Sequence, residues 1–140
     1  MIESEMFAYL QDQSAITALV GTRIYPDAAP QTASLPIVIY SKQSTDRQLT
    51  LKRAVGICTA RIQIDVYGST RTVCENIMDA IRLVVDGFQG NWGTTYIHLC
   101  KFDSESVGWD LETAKDTGIH QSSVDLVVTF TESTTDFFGG

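Results

Sequence analysis

Residues 57–67 read Ile57-Cys58-Thr59-Ala60-Arg61-Ile62-Gln63-Ile64-Asp65-Val66-Tyr67. Successive side chains of a β-strand point to opposite faces of the sheet. Cys58, Ala60, Ile62, Ile64 and Val66 therefore share one face, and Thr59, Arg61, Gln63, Asp65 and Tyr67 share the other. One dry face and one polar face is the pattern of an antiparallel sheet that is covered on a single side. The stretch thus calls for a cover, and the rest of the chain is read for it.

The cover follows directly. After Gly68 and Ser69, residues from about Thr70 to Asp86 place Val73, Ile77, Ile81, Val84 and Phe88 at steps of three or four, which is the apolar stripe of a helix. Thr72 and Glu75 have capping-box spacing, with Ser69 and Thr70 as the competing caps, and Gly87 closes the helix. Upstream, Leu35 to Lys42 is β-branched and aromatic and reads as a strand, with Pro36 near its first position, where a missing donor does least harm. Residues 43–54 are polar and basic, and read as a hairpin loop or as the frayed ends of two strands.

Nearer the start, Ile2, Met6, Phe7 and Leu10 have helical spacing, so a short helix is expected from about Glu3 to Gln11. Ser14 would cap a further turn or two before Gly21, and Arg23 to Pro26 forms a short extended piece. Downstream, the Gly90-Asn91-Trp92-Gly93 turn leads into a third strand from about Thr94 to Phe102. A charged loop is expected from Asp103 to Gly118, and a last strand over Ile119 to Thr131. The expectation is an α+β two-layer sandwich in the order α-β-β-α-β-β. Its four-stranded, mainly antiparallel sheet is covered by one long helix, and a short N-terminal helix completes it. Residues 1–131 would form this single domain, and residues 132–140 a flexible tail or docking arm.

Composition bounds the function. The 140 residues suit one domain, and 44% hydrophobic with 19% charged residues is the makeup of a folded chain. The net charge of -7 argues against a protein that coats nucleic acid. That charge is unevenly spread. Lys42, Arg47, Lys52 and Arg53 against Asp46 make residues 42–53 a +3 segment, whereas residues 103–140 carry -7. Such segments are solvated loops or complementary patches for contact between subunits. No stretch approaches the ~18 apolar residues of a membrane span, so no membrane partner is expected. Met1 to Glu5 lacks the basic-then-apolar pattern of a signal peptide. Cys58, Cys74 and Cys100 form no CxxC pair and read as reduced core thiols.

Chemistry finds little to stand on. There is no HExxH, GxSxG or phosphate-loop pattern, and His98 with Cys100 would need further ligands to hold a metal. No catalytic residue and no cofactor is expected. The segment Lys42 to Arg53 has no interleaved aromatics on which bases could stack. What remains is interaction surface. Trp109, Phe137 and Phe138 lie among charged or small residues, where an aromatic is a candidate for partner contact. The competing readings are a loop that folds back on its own domain for Trp109 and a disordered tail end for the two phenylalanines.

The layout as a whole resembles a known family. In order stand Ala18-Leu19-Val20-Gly21-Thr22-Arg23-Ile24-Tyr25-Pro26, Leu35-Pro36-Ile37-Val38-Ile39-Tyr40, Arg61-Ile62-Gln63-Ile64-Asp65-Val66-Tyr67, Asp86-Gly87-Phe88 and Ser123-Val124-Asp125-Leu126-Val127-Val128. From about residue 3 to residue 131 these stretches are similar to the tail completion, tail-to-head joining and tail terminator proteins of long-tailed bacteriophages and related particles. The resemblance implies a non-enzymatic virion subunit at the head–tail interface, assembled in the host cytoplasm. It implies a homo-oligomeric ring, usually of six copies, on the head-proximal end of the tail tube. Its partners would be the tail tube protein and a head connector or stopper protein, and genomic DNA would pass through without sequence-specific binding.

Heterologous contacts close into rings when the rotation allows. On that reading Lys42, Arg47, Lys52 and Arg53 would meet Asp110, Glu112 and Asp116 of a neighbour, with Trp109, Phe137 and Phe138 as further contacts. The alternatives are a head-side connector subunit and, more remotely, a small cytoplasmic hydrolase or metal-binding protein.

Overall fold

The structure is a computed structural model. It describes residues 2–28, 34–49, 54–93, 95–110 and 119–131, with the backbone alone at 46–49, 54–56, 104–110 and 119. The elements are α1 (Ile2–Gln11), α2 (Ser14–Val20), β1 (Ile24–Pro26), β2 (Ile37–Leu49), β3 (Ala54–Gly68), α3 (Arg71–Val85), β4 (Gly90–Trp92), β5 (Thr95–Asp110) and β6 (Ile119–Thr131). They form one six-stranded sheet in the order β1-β2-β3-β6-β5-β4. β1 runs parallel to β2 and every other pairing is antiparallel, so the sheet is mixed.

The expected four-stranded sheet under one long helix is therefore corrected on three counts. Two strands are added at the edges. Ile24 to Pro26 pairs with Val38 to Tyr40, and Gly90 to Trp92 pairs with Thr95 to Ile97. Each is three residues long, too short for alternation to show, and only pairing with a neighbour makes it a strand. The cover is also shared. α1 buries Ile2, Met6 and Leu10, α2 buries Ile16 and Val20, and both join the single core that α3 faces. Thirdly, β5 continues through Asp110, across the first half of what pattern assigned to a charged loop.

Of the remaining expectations, those for β3, β6 and α3 hold, whereas β2 runs on to Leu49 through residues read as a loop or frayed ends, and the tail of residues 132–140 lies outside the described residues. On β3, Cys58, Ala60, Ile62, Ile64 and Val66 are all fully buried, and on β6 so are Val124, Leu126 and Val128. Each large aliphatic among them contributes roughly 1.5–3 kcal/mol relative to exposure. α3 seats Ile77 and Ile81 at the centre of its stripe, with Val73, Val84 and Phe88 half-buried at its margins. Its cap is Thr70, whose hydroxyl accepts from the Val73 N–H at 3.2 Å. Ser14 does not cap α2. The cap position is Gln13, with extended backbone and no side-chain bond, and Ser14 is the first helical residue. Gly21 follows α2 at φ +60°, a conformation that strains any residue with a Cβ.

The N-terminal helix is tied down at one end of the core by aromatics. Tyr9 packs on Phe88 at 4.9 Å and on Trp92 at 5.5 Å, and its hydroxyl donates to the Val84 carbonyl at 2.7 Å. At the other end Phe7 stacks on Tyr40 at 5.6 Å.

Candidate functional site

All three helices pack into the same core, so among the described residues the opposite face of the sheet has no covering element. That face is built from the polar side of the alternation and is laced by side-chain bonds. Arg61 reaches Asp103 at 3.0 Å and Asp125 at 3.4 Å. The hydrogen bond to Asp103, supported by the charges of both carboxylates, raises the Arg61 pKa. Gln63 donates to Asp65 at 3.0 Å, Ser123 donates to the same carboxylate, and Gln121 donates to Ser123 at 3.1 Å. The guanidinium is thereby held between two acids of the sheet itself. Asp103 takes part because it is the extra residue of a β-bulge, between Phe102 opposite Leu126 and Ser104 opposite Asp125. Pattern alone gave Asp103 no such role, because a bulge interrupts the alternation that would announce it.

The two charged hairpins close at opposite ends of the sheet, while Asp125 of the acidic stretch lies on β6 and Glu132 follows Thr131 in the chain. β3 pairs with β6 from Ile57 opposite Thr131 to Gly68 opposite His120. The β2–β3 hairpin, which carries the basic segment, closes at Leu49 opposite Ala54, beyond the Thr131 end. The β5–β6 hairpin, which carries Asp110, Glu112 and Asp116, closes at Asp110 opposite Ile119, beyond the His120 end. Antiparallel topology forces this arrangement.

Individual candidate residues divide between described and undescribed parts. Lys42 lies on β2 opposite Ile62, and its ammonium stands 3.8 Å from Glu3 of α1. The two residues line a cleft of about 200 Å³ together with Pro26, Asp27, Tyr40 and Ser41. Partial burial first, then the Glu3 and Asp27 charges, raises the Tyr40 pKa. Arg47 stands opposite Cys58, Trp109 opposite His120 and Asp110 opposite Ile119 in strand register. Lys52, Arg53, Glu112, Asp116, Phe137 and Phe138 lie outside the described residues.

Groups that might have carried chemistry are dispersed. Cys58, Cys74 and Cys100 are buried. Burial, with a smaller push from Asp86, raises the Cys100 thiol to about 12, and burial likewise raises that of Cys74, whose thiol donates to the His120 carbonyl at 3.3 Å. His98 sits 2.6 Å from the Thr131 hydroxyl and edge-on to Tyr96. Among the described residues no group of His, Cys, Asp and Glu is placed to hold a metal ion. Among the described residues no helix is long and apolar enough to cross a membrane.

A family model described as tail completion protein gp17 matches residues 4–126. The chain belongs to that family. Membership makes it a structural protein of a bacteriophage-type virion, concerned with completing the tail. No curated protein matches the chain. Among solved structures, it is similar to a chain of the "virion of native gene transfer agent (GTA) particle", with a TM-score of 0.70 and 13% identity. The match covers 94% of this chain and 95% of that one, so a tail completion protein of this sequence shares its fold with a virion component over nearly the whole length.

Proposed function

We propose that this tail completion protein is a tail terminator. Copies form a ring of six at the head-proximal end of the tail tube, stop tube growth and offer the head connector its docking surface, with DNA passing through the lumen. The observation that carries the reading is the placement of the basic and acidic hairpins at opposite ends of one rigid sheet. Segments of opposite sign on one copy favour heterologous contact between identical copies and disfavour two-fold pairing of like surfaces. The likeness to a chain of a gene transfer agent virion is consistent with this role. Arg61, bound by Asp103 and Asp125, adds little free positive charge to grip passing phosphates.

Mixing the purified protein with tail tubes and viewing them by electron microscopy tests the reading. One ring per tube, on one end only, with tubes no longer extending, is the expected result. Binding to portal-side proteins with bare tube ends would favour a head-side connector instead.

A further inference from the structure

We infer that neighbouring copies join by strand addition, the β5 edge of one copy pairing antiparallel with the β2 edge of the next, so that the sheets run on around the ring. This rests on the ring reading above. Each outer edge of the sheet is only half covered among the described residues. β1 pairs with β2 over Val38 to Tyr40 and leaves Ser41 to Leu49 without a strand beside it. β4 pairs with β5 over Thr95 to Ile97. The end of α3 then covers the next stretch, with Gly87 N–H donating to the Cys100 carbonyl at 2.8 Å and Phe102 N–H donating to Asp86 at 3.1 Å. Beyond Phe102, no such partner stands on that side of β5 among the described residues. Exposed edges of this length invite pairing with another chain.

The two vacant edges match each other. In an antiparallel ladder alternate residues turn both backbone groups to the same side. Cys100 and Phe102 turn outward, and one bulge residue, Asp103, follows, so Glu105, Val107 and Trp109 turn outward in the vacant stretch. On β2, Val38 and Tyr40 turn toward β1. Lys42 continues that series, and after the bulge at Gln43 so do Thr45 and Arg47. Laid antiparallel, Glu105 falls opposite Arg47, Val107 opposite Thr45 and Trp109 opposite Lys42, with the bulge taking up the odd residue. All six lie in register with residues of the buried face, Val124, Ser122 and His120 on one side and Cys58, Ala60 and Ile62 on the other. The register thus keeps faces matched and sets an acid against a base, which cross-strand pairing favours.

The stagger also suits closure. Carried through β6 to β3, Glu105, Val107 and Trp109 stand level with Ile64, Val66 and Gly68, while Arg47, Thr45 and Lys42 stand level with Cys58, Ala60 and Ile62. Each copy is therefore raised by about six residues on its neighbour. With roughly 3.3 Å per residue and about 4.8 Å between strands, six residues over the four strands β2, β3, β6 and β5 correspond to a tilt of about 45°. That is at the upper end of the ~35–45° range of closed barrels, and it does not depend on the number of copies. With the helices on one side, closure leaves the bare polar face of Thr59, Arg61, Gln63 and Asp65 toward the lumen.

The test is a disulfide between copies assembled on tail tubes. Asp46 and Ser106 are opposite in this register, between the outward residues, where strands approach most closely. The Asp46→Cys/Ser106→Cys variant should give, on oxidation, a ladder of covalent oligomers up to a closed ring. The native cysteines are buried and should not compete. In the unmodified protein, hydrogen exchange at Glu105, Val107, Trp109, Lys42, Thr45 and Arg47 should slow by at least tenfold on assembly. Rings on tube ends with neither cross-link nor slowed exchange would overturn strand addition while leaving the terminator reading intact. Dimers from Ser106→Cys alone, matching the double variant, would overturn it in favour of two-fold β5 pairing. Failure of any ring to form on tubes would overturn the terminator reading, and strand addition with it.

Discussion

The two faces of β3 are made by alternate residues of one strand, yet they do opposite things. On the side of Ile62 every side chain from Cys58 to Val66 is sealed beneath helices. On the side of Arg61 the side chains lie half-buried among themselves, bonded across strands, with no described element above them. The first face holds the domain together, and the second is left for whatever the assembled particle presents to it. The hairpins extend the contrast along the strands, since their sequences place charge beyond Leu49 and beyond Asp110. Stability and assembly should therefore be separable by mutation.

The largest expected effect is on assembly alone. Lys52→Glu together with Arg53→Glu should abolish capping of tube ends, seen by microscopy, while the melting temperature stays within about 2 °C of the parent, the shift that goes with a stability change of about 0.5 kcal/mol or less. A large loss of melting temperature would break the separation. Next, Ile62→Ala on the dry face should cost about 2–5 kcal/mol in denaturant unfolding, whereas Thr59→Ala on the opposite face of the same strand should cost under about 0.5 kcal/mol. Equal losses would mean that the polar face is covered after all.

The buried thiol sharpens the same contrast through pH. The Cys100 thiol is held up to about 12 against an ordinary value of 9.0, so the folded chain keeps a proton that the unfolded chain gives up first. Its contribution is complete below about pH 9 and falls as pH rises toward 12, and unfolding followed by absorbance across that range should show stability declining. Cys100→Ser should flatten that part of the decline. The smallest of these effects is local: Thr70→Ala removes the α3 cap and should cost about 1 kcal/mol.

Much of the dry face was legible in the residues, because burial on one side of a strand or helix imposes a period of two or of three to four. β3, β6, the α3 stripe and the choice among caps that included Thr70 all carry that imprint. What was not legible has physical causes. β1 and β4 are too short to show a period. α2 begins after Gln13, which makes no side-chain cap. β5 reads as a loop after Phe102 because the bulge at Asp103 shifts its alternation and Ser104, Glu105 and Ser106 are polar. The segregation of charge was visible in the sequence as well, but its meaning was not. Only the strand order shows that the basic and acidic hairpins close at opposite ends of one sheet, and only the pairing of β1 and β4 shows which edges remain open among the described residues.

The central claim is that this tail completion protein closes a ring on one end of the tail tube. The most direct measurement is electron microscopy of tubes incubated with the purified protein at low salt. The account predicts a single ring of six copies on one end of each tube and an arrest of tube growth. Tubes that keep growing with bare ends, at protein concentrations well above those of the tube ends, would contradict it.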